Sequence, residues 1–239
     1  MPEPASITLI GTGCLGLAVR MLQAKYRAAK PYVDWVGALV LLIITSPVIA
    51  ACAVLIKVTS RGPVLYSQDR VGQGGRIFRI LKLRTMRPDA EAGTGPVWAN
   101  GHDDARVTPV GRVLRRLHLD ELPQLINVLR GEMSLIGPRP ERPELVERLK
   151  EEMPKYANYD SWLKLRLSVK PGITGFAQVH AGYDRTVRDV RRKVRLDCRY
   201  ISRMCWWVDF QIIVGTFSAV LLGQTERREK RSKRTVVRA

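Results

Sequence analysis

Between Trp35 and Ile56 the chain runs for 22 residues without a charge, WVGALVLLIITSPVIAACAVLI. As a straight helix this stretch is roughly 33 Å long, about the thickness of a bilayer's hydrocarbon core. A plain transmembrane span is the first reading. Two features favour another. Pro47, preceded by Ser46, sits in mid-segment, where it removes a backbone hydrogen bond and bends a helix. Basic residues flank both ends, with Arg20, Lys25, Arg27 and Lys30 before and Lys57 and Arg61 after, so the positive charge selects neither side. A helix that enters the membrane, bends at Ser46-Pro47 and returns to the same face satisfies both. From the residues alone the two readings stand level.

A second apolar stretch, Cys205 to Gly223, carries Asp209 as its one charge. Trp206, Phe210, Ile213, Phe217 and Val220 recur at helical spacing, and the tandem Trp206-Trp207 suits a membrane interface. A helix packed into the core of a soluble domain fits the same pattern. The tail that follows favours the interface: residues 225 to 239 hold seven Lys or Arg against two Glu, a cluster suited to anionic lipid, although a solvated terminus has the same composition.

Across all 239 residues there are 40 Lys and Arg against 22 Asp and Glu, a formal charge of +18. That excess favours anionic partners without choosing among nucleic acid, lipid headgroups and phosphorylated substrates. Hydrophobic residues make up 46%, enough for a packed core. Cys14, Cys52, Cys198 and Cys205 form no close pair and read as reduced thiols rather than a disulfide framework or zinc site. His102, His118 and His180 lack ligand spacing. Gly11-x-Gly13-x-x-Gly16 matches a dinucleotide fingerprint on paper, but the helical stretch after it ends at Lys30-Pro31. A membrane-length segment then stands where a second strand is required, so no nucleotide role is assigned.

The region from about 59 to 200 is polar and Arg-rich, with mixed signals. Val64 to Tyr66 and Ile77 to Leu81 read as short strands around the turn Gly72 to Gly75, and 142 to 167 reads as helix interrupted near Pro154. Gly111 to Arg116 is a helix with a basic face. His118 to Gln124 opens the next helix, with Pro123 in its first turn, Leu125, Ile126, Val128 and Leu129 as its buried face, and Gly131 as its stop. Asp120 therefore falls at or next to a helix N-terminus, where Asp is most often only a cap. Its neighbours support a chemical role. Arg115 and Arg116 precede it, Arg139 lies between Pro138 and Pro140, and adjacent Asp120 and Glu121 offer oxygen ligands to Mg²⁺ bridging a diphosphate.

Six motifs then occur in order: Gly62-Pro63-Val64, Gln68-Asp69-Arg70-Val71-Gly72, Lys82-Leu83-Arg84-Thr85-Met86, Leu119-Asp120-Glu121-Leu122-Pro123-Gln124, Gly137-Pro138-Arg139-Pro140 and Lys170-Pro171-Gly172-Ile173-Thr174-Gly175. With Ser46-Pro47 ahead of them, over roughly 30 to 222, the chain resembles the bacterial sugar transferase family, the monotopic polyprenyl-phosphate phosphoglycosyl transferases. The resemblance implies that Asp120 is a nucleophile that attacks the sugar-bearing phosphorus of a UDP-sugar. UMP is released, and a phosphosugar-aspartate passes its group to undecaprenyl (polyprenyl) phosphate. Glu121 then assists in metal binding or proton handling, with Mg²⁺ the implied cofactor. Arg115 and Arg139 bind substrate, with Lys82 and Arg84 as further candidates. Asp197 matches a family acidic position and reads equally well as a helix-surface carboxylate.

The fold expected is α+β: a mainly helical cytosolic domain with short strands, a re-entrant N-terminal membrane helix hairpin kinked at Ser46 and Pro47, and interfacial amphipathic helices. Its parts are an extension over 1–30, the re-entrant helix 31–58, the catalytic domain 59–200, the interfacial helix 201–224 and the basic tail 225–239. The resemblance places it as a small monotopic form on the cytoplasmic face of the bacterial inner membrane, without the multi-span N-terminal region of some relatives. A homodimer is compatible with the sequence. A membrane-tethered nucleic-acid-binding protein is the main rival. Three of five Trp lie in apolar stretches, leaving little basic-aromatic interleaving for base stacking, so no nucleic-acid partner is expected. A noncatalytic scaffold has no use for the Asp120-Glu121 pair.

Overall fold

The computed structural model describes residues 4–87, 90, 106–152, 159–181 and 187–221. A single helix, α1 (Pro4–Thr59), takes up the N-terminal quarter and runs through both Pro31 and Pro47. The helix therefore neither ends at Lys30-Pro31 nor breaks into two at Ser46-Pro47. At Pro47 the Ile43 carbonyl, left without an amide donor, is taken by the Ser46 hydroxyl at 2.8 Å. Gly11, Gly13 and Gly16 lie inside this helix rather than on a strand-to-helix turn, which leaves no place for a dinucleotide fold.

One stripe of α1 faces the rest of the molecule. Lys30, Asp34, Ala38, Cys52 and Ile56 are buried, and Leu42 and Ile49 pack against the core between them. These positions recur at three, four or seven residues, one or two helical turns, so the stripe is one face of one helix. The other faces stay bare, with Val33, Val36, Ile43, Ile44, Val54 and Leu55 all more than half exposed. By length and composition, Val19–Thr59 can cross a membrane.

After α1, strands β1 (Leu65–Val71) and β2 (Ile77–Leu83) form an antiparallel ribbon joined by a 3₁₀ turn at Gln73–Gly75. The ribbon is longer than the apolar runs suggest, because Ser67, Gln68 and Arg70 pair their backbones while one face meets water. Helices α2 (Pro109–Arg116) and α3 (Gln124–Leu129) follow, then strand β3 (Ser134–Ile136). The chain continues through α4 (Pro143–Glu152), α5 (Tyr159–Leu167), β4 (Gly172–Thr174), α6 (Phe176–His180), α7 (Val187–Arg203) and α8 (Trp206–Leu221). The helix expected over 142 to 167 is thus two helices, with Pro154 outside the described residues. The basic tail also lies outside them.

Four apolar clusters tie the elements together. Ala38 of α1 meets Phe78, Ile80, Leu125 and Val128, and Cys52 and Ile56 meet Leu83 and Leu114. Ile136 packs with Tyr200, Ile201 and Ile212, and Val71 packs with Leu163 and Val194. Each large apolar side chain buried in this way contributes roughly 1.5–3 kcal/mol. In α8 the apolar stripe points outward, with Trp206 66% and Phe217 62% exposed, while the one charged residue, Asp209, is buried. A core-packed α8 would show the reverse.

Strands β3 and β4 pair in parallel, and their crossing explains three motif glycines. A Cβ on Gly172 would stand 2.0 Å from the Gly137 nitrogen, and one on Gly175 would stand 2.1 Å from the Gly137 oxygen. Only bare backbone fits there. This close approach launches the loop that carries Arg139.

Candidate active site

Strand β2 supplies the first cation. Asn127, fully buried in α3, accepts from the Leu81 amide at 3.0 Å and donates to the Arg79 carbonyl at 2.9 Å. Those two bonds fix the strand's register on α3. Lys82 then projects onto the turn between α2 and α3, where its Nζ lies 2.7 Å from Glu121 Oε1.

That turn is where sequence and structure part. His118 adopts a left-handed conformation, φ 55 and ψ 20, which ends the run from α2 and starts a separate 3₁₀ turn, Leu119–Glu121. Pro123, which has no N–H, stands before α3 and keeps the two from merging. Asp120 is therefore held in a single tight turn, four residues ahead of the first residue of α3, rather than at the start of one continuous helix. A non-glycine residue at positive φ is strained by roughly 1–2 kcal/mol, and such strain gathers at functional sites.

Arg139 closes the site from the opposite side, its Nη2 3.1 Å from the same Glu121 Oε1. Its loop is pinned from several directions. The Gly172 amide donates to the Pro138 carbonyl at 2.9 Å, Arg70 donates to the Pro140 carbonyl at 3.2 Å, and the Val71 amide donates to the Glu141 carbonyl at 2.9 Å. From α5, Arg166 Nη2 donates to the Arg139 carbonyl at 2.8 Å and to Glu141 at 3.1 Å, while its Nε meets Asp197 of α7 at 2.8 Å. Asp197 is buried, so of its two readings the surface carboxylate is ruled out.

The two neighbouring carboxylates have opposite environments. Burial would raise the Glu121 pKa, but Lys82 and Arg139 outweigh it and hold the group far below the usual carboxylate range. Asp120 is 8% exposed and makes no hydrogen bond or ion pair among the described residues. Burial and then the Glu121 charge push its pKa up, with Lys82 and Arg115 pulling back. The result is one locked anion beside one carboxylate whose oxygens are uncommitted. That donor set fits Mg²⁺, which takes one or two protein carboxylates and completes its shell with phosphate and water oxygens. Among the described residues no group of three or more His, Cys, Asp or Glu is gathered.

A cleft of about 190 Å³ opens beside this pair, lined by Arg70, Lys82, Glu121, Gln124, Arg139 and Pro140. Three cations against one lining carboxylate make it a site for an anion. Of the residues expected from sequence, Glu121, Lys82 and Arg139 line this cleft, and Asp120 adjoins it, next to Glu121 and within reach of the Lys82 charge. Arg115 donates to Thr85 at 2.8 Å and stands near enough for its charge to act on Asp120. Arg84 does not join them. Strand β2 ends at Leu83, the alternation lapses, and Arg84 turns to Ser60, binding its carbonyl at 3.0 Å and hydroxyl at 2.8 Å. There it secures the end of α1. Two further lining residues, Arg70 and Gln124, carry no signal of their own in the sequence beyond lying in the Gln68 to Gly72 and Leu119 to Gln124 motifs. Each keeps a buried N–H without a partner among the described residues, Arg70 Nε and Gln124 Nε2.

Residues 25–223 match the model of the bacterial sugar transferase family. The chain is 42% identical over 198 residues to an Aeromonas hydrophila UDP-N-acetylgalactosamine-undecaprenyl-phosphate N-acetylgalactosaminephosphotransferase, an overlap of 83% of this chain and 45% of that relative. It is 41% identical over 194 residues to a Caulobacter vibrioides UDP-glucose:undecaprenyl-phosphate glucose-1-phosphate transferase, covering 80% and 69%. It is 36% identical over 225 residues to galactosyl transferase CpsE of Streptococcus agalactiae, covering 90% and 47%. The chain thus spans about half the length of the first and third of these relatives.

Proposed function

The chain belongs to the bacterial sugar transferase family, and from that premise we propose that it moves a sugar 1-phosphate from a UDP-sugar to undecaprenyl phosphate. The observation that carries this reading is the division of labour in the dyad. Lys82 and Arg139 hold Glu121 fixed, whereas Asp120 keeps its oxygens free to attack. An Asp120 oxygen bonds to the sugar-bearing phosphorus, the bridging P–O bond breaks, and UMP departs with its electron pair. An oxygen of the lipid phosphate then attacks the same phosphorus, and the acyl-phosphate bond breaks to restore the carboxylate. Covalent catalysis divides one hard displacement into two easier ones.

Arg70, Lys82 and Arg139 orient the diphosphate and balance its charge, with the Gln124 amide among them. Asp120 and Glu121 are the residues that would hold Mg²⁺. Bound there, the ion supplies charge neutralisation at the phosphoryl oxygens. The experiment uses purified protein with Mg²⁺, undecaprenyl phosphate and a panel of UDP-N-acetylgalactosamine, UDP-glucose and UDP-galactose. At least one donor is expected to release UMP, and donor alone is expected to leave a phosphosugar adduct on the peptide spanning Leu119 to Gln124. Turnover without any adduct on that peptide overturns the aspartate intermediate.

The same reading places α1 in one leaflet of the inner membrane, entering and leaving on the cytoplasmic face, with α8 lying in the interface. Its support is that one domain grips the helix at Lys30 to Ala38 and again at Cys52 and Ile56, which a straight crossing of the bilayer would separate. The outward aromatic face of α8 supports it from the other side. Single cysteines at positions 25 and 60, in a background lacking the native ones, are expected to react with an impermeant thiol reagent from the same side. Labelling from opposite sides refutes re-entry.

A further inference from the structure

A buried polar cluster lies apart from the dyad, where α1 meets α8. Lys30 Nζ is 3.2 Å from Asp34 Oδ1 and 2.7 Å from Asp209 Oδ2. Tyr26 donates to Asp209 Oδ2 at 2.6 Å, and Tyr200 of α7 donates to its Oδ1 at 2.8 Å. Ser134 of β3 donates to Asp34 Oδ2 at 2.6 Å. Lys30, Asp34 and Asp209 are each less than 8% exposed, and each carboxylate oxygen has a partner.

Stability alone does not explain three buried charges, because apolar side chains of similar volume do as well or better. What the cluster adds is position. An apolar stripe like that of α1 can slide or rotate on its partner, whereas directional bonds to β3, α7 and α8 permit one register. The cluster also sits beside Pro31, which costs the helix one backbone hydrogen bond, so its side-chain bonds steady the helix at that point. One set of bonds therefore ties the membrane helix and the interfacial helix to β3, while the Arg139 loop keeps its own bonds to Arg166, Arg70 and Gly172.

We propose that Lys30, Asp34 and Asp209 are positioning residues for the lipid-acceptor half of the reaction, holding the dyad at the depth where a membrane-borne phosphate arrives. This rests on the transfer reaction proposed above. The donor reaches the dyad from water and does not depend on that depth; the acceptor does.

The test uses full-length protein in vesicles, with the donor-only UMP burst timed in vesicles lacking undecaprenyl phosphate and transfer to lipid timed in vesicles containing it. In Asp209→Asn the burst is expected to stay within about twofold of the parent, while transfer slows by about 10- to 100-fold, as displacements of an ångström do. Lys30→Met should behave alike, and Lys30→Arg, which keeps the charge, should recover much of the loss. Tyr26→Phe leaves every charge paired and is expected to slow transfer by a smaller factor; it decides the matter if Asp209→Asn fails to fold. Burst and transfer falling by one common factor, or neither falling, overturns the proposal. A parent protein with no UDP-sugar-dependent burst removes the underlying reaction instead, and the proposal with it.

Discussion

Replacing Asp120 by Asn is expected to lower sugar-phosphate transfer by about a thousandfold or more while making the fold more stable. The loss follows from chemistry, since an amide is no nucleophile toward phosphorus. The gain follows from the site. Asp120 is buried, lacks a partner among the described residues and sits beside the ionised Glu121, so its charged form is disfavoured in the folded protein. The sign is fixed by linkage. A carboxyl whose folded pKa is raised binds its proton more tightly when folded, so the wild type loses stability as pH rises through the interval between the ordinary and raised values. Above that interval the penalty is constant, and Asn removes it, a gain of about 1 kcal/mol. Below it, the two proteins should unfold alike. Activity of the wild type should run the other way, falling as pH drops through the raised value because the nucleophile becomes protonated. Thermal unfolding in one detergent from pH 4 to 8, with UMP release on the same samples, checks both halves. An Asn variant less stable than its parent at pH 8 contradicts this account of the site.

The motif residues were legible in the sequence because their chemistry is local. Asp120-Glu121, Lys82 and Arg139 each sit in a short run whose glycines or prolines announce a constrained backbone, and the structure brings Lys82 and Arg139 onto Glu121, with Asp120 beside it. What escaped was whatever depends on partners far along the chain. Arg84 shares spacing with Lys82, yet it serves Ser60, because the strand ends one residue earlier. The continuity of α1 through Pro31 escaped because a proline signals a stop by itself, and only packing against β3 and α8 shows that it is tolerated. The 3₁₀ turn at Leu119–Glu121 depends on the left-handed His118, a conformation that no local signal at a histidine requires. Arg70, Gln124 and Asp197 were visible as residues but not as neighbours, and their roles are defined only by what lies across the cleft or behind the loop.

Arg166 is the side chain whose loss should damage the fold most. It is buried against Asp197 and Glu141, and it also bonds the carbonyl of Arg139. Burial works against the Arg166 charge, but the two acids hold it firmly protonated. Burial pushes the Asp197 carboxyl up while Arg166 pulls it down, and at 2.8 Å the pair is read as ionised. Arg166→Met strands Asp197 in the interior, leaves half-buried Glu141 to Arg139 and Arg70, and is expected to destabilise by about 3–5 kcal/mol. Adding Asp197→Asn should restore part of that loss, since one stranded charge disappears. Arg166→Lys separates structure from positioning. It keeps the charge, so the fold should survive, but an ammonium cannot reproduce the planar fork that reaches Asp197, Glu141 and the Arg139 carbonyl together. The Arg139 loop then loses its tether, and KM for the UDP-sugar is expected to rise about tenfold with a smaller change in kcat. Denaturation midpoints and donor KM for the three variants test this directly. A Lys variant with normal KM would mean that Arg139 is placed by the Gly137–Gly172 crossing, Arg70 and the Val71 amide, and that Arg166 serves only to neutralise the acids behind the loop.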